Sequence, residues 1–143
     1  MISLSIKRFK YNEEGLSRFF GPLEARIMEL FWDSEQGEFS IKEVQQTLDS
    51  EKNINFNTVM TVMNRLVDKG VLTKRASGRV SLFSPIQTKE EFLEEQSKKL
   101  TENLLDEFGG VVISHMIDSL TDVDETLLNK LEQKIQQLKK DKL

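Results

Sequence analysis

Three stretches near the front of the chain alternate apolar and polar positions with the period of a helix. In GPLEARIMELFWDS, Leu23, Ile27, Leu30 and Phe31 recur at spacings of four, three and one, which lines one helical face. Pro22 suits the first helical position, where its missing N–H costs nothing, so a first helix is expected from about Pro22 to Ser34. In FSIKEVQQTL, Ser40 and Glu43 form a capping box, with Phe39 placed to staple onto Val44, and a second helix starting at Ile41 buries Ile41, Val44 and Leu48. In NFNTVMTVMNRLVDKG, Asn55 is a good N-cap. Val59, Val62, Leu66 and Val67 make the inner stripe, and Gly70 stands just past the end, where glycine is favoured.

The period then changes. VLTKRA and RVSLFSP are rich in β-branched and aromatic residues. Ser77-Gly78 between them is a two-residue hairpin signal, and Pro85 ends the second strand. Three short helices enclose a small core, and a hairpin closes its open side; the order predicts a winged helix over residues 21–86.

From Thr88 a second kind of pattern begins. TKEE repeats the capping-box logic, and Phe92, Leu93, Leu100, Leu104, Leu105 and Phe108 mark a long amphipathic helix that Gly109-Gly110 breaks. VVISHMIDSL reads as a short apolar helix. A last helix follows with Thr121 or Asp122 as its cap, and in it Leu128, Leu131, Ile135 and Leu138 run at spacings of three, four and three, a short heptad seam. So much leucine has no core of its own to enter, so residues 87–143 are expected to form a helical dimerisation region. Its seam would comprise Phe92, Leu100, Leu104, Phe108, Leu128, Leu131, Ile135 and Leu138. The fold class expected is thus mainly α with a small β-hairpin: a winged helix-turn-helix domain followed by a helical dimerisation region. Residues 1–20 are left as an N-terminal arm, in which KRFKY and SRFF are either a basic-aromatic reach toward nucleic acid or a tail over the first helix.

Charge sharpens this division. The 143 residues carry a net charge of −4, but Met1 to Ile86 hold 12 Lys+Arg against 11 Asp+Glu, while Gln87 to Leu143 hold 8 against 13. The acidic half is the wrong one to meet phosphate, and binding depends on the field of one face rather than on the total. No apolar run approaches the ~20 residues of a membrane span, and the start lacks the long apolar segment of a signal peptide. With no cysteine, neither a disulfide framework nor a thiolate metal site is available. A cytoplasmic protein without cofactor or metal is expected.

Candidate chemistry is sparse. The single histidine, His115, lies in an apolar helix with no evident partner, and no phosphate-binding glycine loop, nucleophile elbow or HExxH pattern is present. No catalytic residue is assigned. The third helix is more informative, because Asn57, Thr58 and Thr61 share its outer side in the N-terminal half, where short polar side chains fit a DNA major groove. Arg65, a turn later, suits a backbone phosphate or an internal ion pair. Such a face alone is more often plain hydrated surface, and Met60 and Met63 are more often packing residues than a soft-metal or ligand pocket. Beside it, however, the hairpin carries Lys74, Arg75 and Arg79 around Ser77-Gly78, and the combination reads as helix-turn-helix plus wing.

GPLEARIMELFWDS, the capping-box helix, NTVMTVMNRLVDKGVLTKR, the FSP after the wing and the FGG at Phe108 to Gly110 together resemble the penicillinase repressor family, the BlaI/MecI/CopY regulators. The resemblance implies a homodimeric repressor on an inverted-repeat, double-stranded DNA operator with TACA/TGTA-like half-sites. It implies groove contacts at Asn57, Thr58, Met60 and Thr61, and wing contacts from Lys74 to Arg79, including Arg75 and Ser77. The family's copper-responsive branch carries a C-terminal cysteine cluster, which this chain lacks. Its β-lactam-responsive branch is cleaved at an Asn-Phe bond, and the matching place near Glu102-Asn103-Leu104 holds no such pair. The inducing signal, the regulated genes and any upstream sensor or protease are therefore open. A winged-helix protein-interaction adaptor without DNA contact is the alternative.

Overall fold

The computed structural model of the chain describes Lys10 and residues 15–142. The contacts divide it into two compact units, Met1–Glu94 and Glu95–Leu143.

In the first unit a short 3-10 helix, Gly15–Arg18, precedes α1 (Pro22–Asp33), β1 (Phe39–Ser40), α2 (Ile41–Asp49), α3 (Phe56–Asp68), β2 (Leu72–Ser77) and β3 (Val80–Pro85), with α4 (Lys89–Phe108) beginning after it. The helix starts are chemically determined. Ser40 Oγ accepts from Glu43 N–H at 3.1 Å while Glu43 Oε1 accepts from Ser40 N–H at 2.9 Å. The same exchange joins Thr88 and Glu91 at 2.9 and 3.1 Å. Asn55 Oδ1 accepts from Thr58 N–H at 2.8 Å. Each arrangement satisfies donors that a helix leaves unpaired at its start. At α1, where Gly21 has no side chain, Glu24 performs half of that exchange by accepting from Gly21 N–H at 3.1 Å.

The buried carboxylate of Glu24 also receives Lys69 Nζ at 2.8 and 3.0 Å. That pair ties the N-terminus of α1 to the residue closing α3, setting an anion and a cation at the helix ends whose dipoles favour them. The apolar faces meet in one cluster, in which Ile27, Met28, Val44, Val59, Met63 and Leu66 are completely inaccessible. Ile41 and Val67, expected inside, are half-buried and pack on the cluster's edge.

The sheet is three-stranded and antiparallel in the order β1-β3-β2, with Phe39 opposite Phe83 and Leu72 opposite Pro85. The short β1 was not anticipated, because its two residues double as the lead-in to α2. The hairpin loop is Gly78-Arg79 rather than Ser77-Gly78, since Ser77 pairs with Val80. Gly78 has φ +64° and no described non-glycine residue has positive φ. Left-handed geometry at the first central residue alone is a type II′ turn, which matches the twist of the flanking strands.

Two expectations change at the unit's edges. Leu16 and Phe20, placed in an N-terminal arm, are buried in the core; residues 1–9 and 11–14 of that stretch lie outside the described residues. Phe92, placed on a dimer seam, is only 1 % exposed and packs against Phe20, Phe19 and Trp32 at ring-centroid distances of 5.4, 5.6 and 5.3 Å. Its ring completes the first unit's core and is unavailable to a partner. The unit accordingly extends to Glu94 and includes the opening of α4.

The second unit holds the rest of α4 with α5 (Gly110–Asp118) and α6 (Glu125–Asp141). Gly109 at φ +63° turns the chain between α4 and α5. The cap of α6 is Asp124, whose carboxylate accepts from Leu127 N–H at 2.8 Å, not Thr121 or Asp122. Neither α5 nor α6 has a buried residue. No described helix is long and apolar enough to cross a membrane.

Candidate nucleic-acid interface

The entry into α3 is held from the preceding helix. Gln45 Nε2 donates to the Ile54 carbonyl at 3.0 Å, and Ile54 N–H donates to Asp49 Oδ1 at 3.3 Å. These bonds tie the turn between α2 and α3, and the inaccessible Val59, Met63 and Leu66 then fix how α3 is rolled about its axis. What remains outward is determined by the 3.6-residue period. Asn57, Thr58, Thr61 and Arg65 are exposed, and Met60 is half-buried at the margin.

Thr61 Oγ1 donates to the Asn57 carbonyl at 2.9 Å. With its proton directed inward, Thr61 presents a methyl group and an acceptor lone pair, the pair of features suited to a thymine methyl and a base amino group. Phe56, in the first turn of α3, is 44 % exposed, an aromatic surface that the periodic reading did not single out.

The wing's cations stand in three different situations. Lys74 donates to Asn64 Oδ1 at 3.0 Å and lies 6.0 Å from the centroid of the Phe83 ring; Asn64 in turn donates to the Met60 carbonyl at 3.0 Å. Asn64 therefore links α3 to β2, a role hidden in the sequence, although its spacing of seven from Asn57 puts both on one side of the helix. Arg75 is gripped by Glu38, with Nε to Oε2 at 2.7 Å and Nη2 to Oε1 at 2.8 Å. This two-point bond holds the Glu38 carboxyl below its ordinary pKa and the guanidinium above its own. Arg79, in the turn beyond Ser77, and Arg65 form no ion pair with any described residue. Both are exposed.

Of the remaining expected seam, Leu100 and Leu104 are half-buried, while Phe108, Leu128, Leu131, Ile135 and Leu138 are 41–54 % exposed. His115 is exposed in α5, and among the described residues no group of three or more His, Cys, Asp or Glu is placed to hold a metal ion.

Three packed helices with a three-stranded sheet, the second and third helices joined by a tight turn and the last two strands forming a hairpin beside the third helix, define a winged helix-turn-helix domain. The penicillinase repressor family matches residues 20–137 of the chain, and the chain belongs to that family. It is 25 % identical over 73 residues to the Transcriptional regulator BlaI of Mycobacterium tuberculosis, in both the CDC 1551 / Oshkosh and the ATCC 25618 / H37Rv strains. That match takes in 51 % of this chain and 52 % of the relative, so the chain spans about half the length of the curated relatives it matches. Among solved structures, the solution structure of the DNA binding domain of the repressor BlaI aligns at 24 % identity and a TM-score of 0.44, over 49 % of this chain and 83 % of that one.

Proposed function

We propose that the protein is a transcriptional repressor that binds an inverted-repeat DNA operator as a homodimer, with residues 21–86 contacting DNA and the helices after Glu94 joining the subunits. The observation that carries this reading is the exposed Asn57–Thr61 face of α3, held in place by its buried stripe and adjoining a basic hairpin tip. Asn57, Thr58, Met60 and Thr61 address base edges, while Arg65, Lys74, Ser77 and Arg79 address the backbone; Arg75, beside them on β2, is already paired with Glu38. The family match and the relatives named as transcriptional regulators support it.

The exposed apolar residues of the second unit support the dimer. Leu128, Leu131, Ile135 and Leu138 leave a continuous apolar stripe on α6, and Val111, Ile113 and Ile117 are 49–59 % exposed on α5. Monomeric proteins rarely leave contiguous apolar patches beyond a few hundred Å². A second copy covers them most simply, because a two-fold dimer needs only one self-complementary patch. Two winged helices related by that axis require an inverted-repeat site. In this reading the protein works in the cytoplasm, with DNA and its own second copy as partners, and no catalytic step.

Sedimentation combined with a gel shift on the DNA upstream of the chain's own coding region tests the proposal. A dimer that retards this fragment at concentrations leaving random duplex free is the expected result. A dimer that ignores both fragments at low salt would refute it in favour of a winged-helix adaptor that binds protein.

A further inference from the structure

The two cations on β2 are not equivalent to the one in the turn. Arg75 already grips a planar, two-oxygen anion of the kind that a guanidinium fork also finds in a phosphate. That anion is held in place. Gln36 Nε2 donates to the Glu38 carbonyl at 2.7 Å, and Gln36 N–H donates to Ser34 Oγ at 3.1 Å, bracing the loop between α1 and β1. On its other side Glu38 adjoins Phe39, which pairs with Phe83 in the sheet and packs edge-on against Phe31 at 5.3 Å. From there the carboxylate reaches past the central strand β3 to β2. Its side chain is 29 % exposed against 61 % for Arg75, so the acid is anchored and the arginine lies over it.

We infer that Glu38 is a built-in stand-in for a DNA phosphate, occupying the fork of Arg75 and lowering the wing's sequence-independent affinity for duplex. This rests on the DNA-binding reading above. Its consequence is that Arg75, though basic and exposed, adds little to the charge that captures DNA. The free cations Arg65 and Arg79 carry that task, and the protein is retained less on random sequence.

The test uses the full-length protein and its Glu38→Gln, Arg75→Ala and double variants, titrated against the upstream fragment and random duplex over a range of salt. An exposed pair is weak, so Glu38→Gln should tighten binding to both duplexes by about two- to fivefold at low salt. The slope of log affinity against log salt should steepen by about 0.9, one additional phosphate neutralised. Arg75→Ala alone should change little, and adding it to Glu38→Gln should abolish the gain, which a purely structural role for Glu38 would not produce. Equal affinity and slope for Glu38→Gln and the parent, alongside weakening by Arg75→Ala, would show that the pair opens freely and overturn the proposal while leaving the DNA reading intact. Weaker binding by Glu38→Gln would overturn it too, making Glu38 the residue that aims Arg75. If the parent binds neither duplex, the DNA reading fails. Elution from immobilised heparin then decides the pair, with later elution of Glu38→Gln than of the double variant expected and co-elution contrary.

Discussion

Replacing Phe92 by alanine separates the two places that a residue at the start of α4 can belong. The ring is 1 % exposed and has three aromatic neighbours. Returning a phenylalanine to water costs about 1.5–3 kcal/mol, the ring contacts add about 0.5–1.5 kcal/mol each beyond area, and alanine recovers about 0.5 kcal/mol of helix propensity. Because the neighbours relax partly into the space, Phe→Ala costs fall at about 3–5 kcal/mol, and for Phe92→Ala about 3–4 kcal/mol is expected. Phe92→Leu, which keeps most of the volume, should cost about 1–1.5 kcal/mol. Trp32 is the single tryptophan, and its indole lies 5.3 Å from the Phe92 ring, so urea unfolding followed by its fluorescence reports on this site. With a denaturant slope of about 1–2 kcal/mol per molar, the midpoint should fall by roughly 1.5–4 M for alanine. A loss under about 1 kcal/mol, or an unchanged urea midpoint with a weakened dimer in sedimentation, would refute the assignment of Phe92 to the first unit's core.

The other expectations concern the interface and the surface ion pairs. Thr61→Ala should cost about 1–3 kcal/mol on the specific site and much less on random duplex; equal losses in fluorescence-anisotropy titrations would remove Thr61 from base reading. Arg79→Ala should weaken specific and random binding alike and flatten the salt slope by about 0.9, and an unaltered slope would take the turn out of the interface. Glu51 is held below the ordinary glutamate pKa by its hydrogen bond with Arg26. A depressed carboxyl contributes stability that is complete above the unfolded value of about 4.3 and disappears as pH falls through the lower folded value. The small advantage of the parent over Glu51→Gln in thermal melts should therefore hold at neutral pH and vanish in acid; an advantage that grew on acidification would contradict the pairing.

Much of this architecture is legible in the chain because its determinants are local. The caps at Ser40, Asn55 and Thr88 act within three residues, and the stripes of α1 to α3 repeat within one or two turns, so helix starts and inward faces follow from spacing. The polar face of α3 was legible for the same reason: burying Val59, Val62 and Leu66 leaves Asn57, Thr58 and Thr61 outside. Spacing was less decisive where two chemically similar positions compete, as with Asp124 over Thr121 or Asp122 at the cap of α6, and Gly78-Arg79 over Ser77-Gly78 in the turn.

Contacts across long sequence separation were decided by the tertiary structure alone. An apolar residue on an amphipathic helix shows that it will be buried, not against what; Phe92 could have met a partner chain, and it meets Phe20 and Trp32 because the end of the wing delivers α4 to them. A basic residue shows charge, not whether that charge is free. Arg75 and Arg79 are alike in sequence, yet one lies in the grip of Glu38 and the other has no described ion-pair partner, since strand pairing sets β3 between β1 and β2 and brings a loop acid within reach of the outer strand. Periodicity thus determined which residues face out from the chain's helices, while strand order and packing determined which of them are still available to bind.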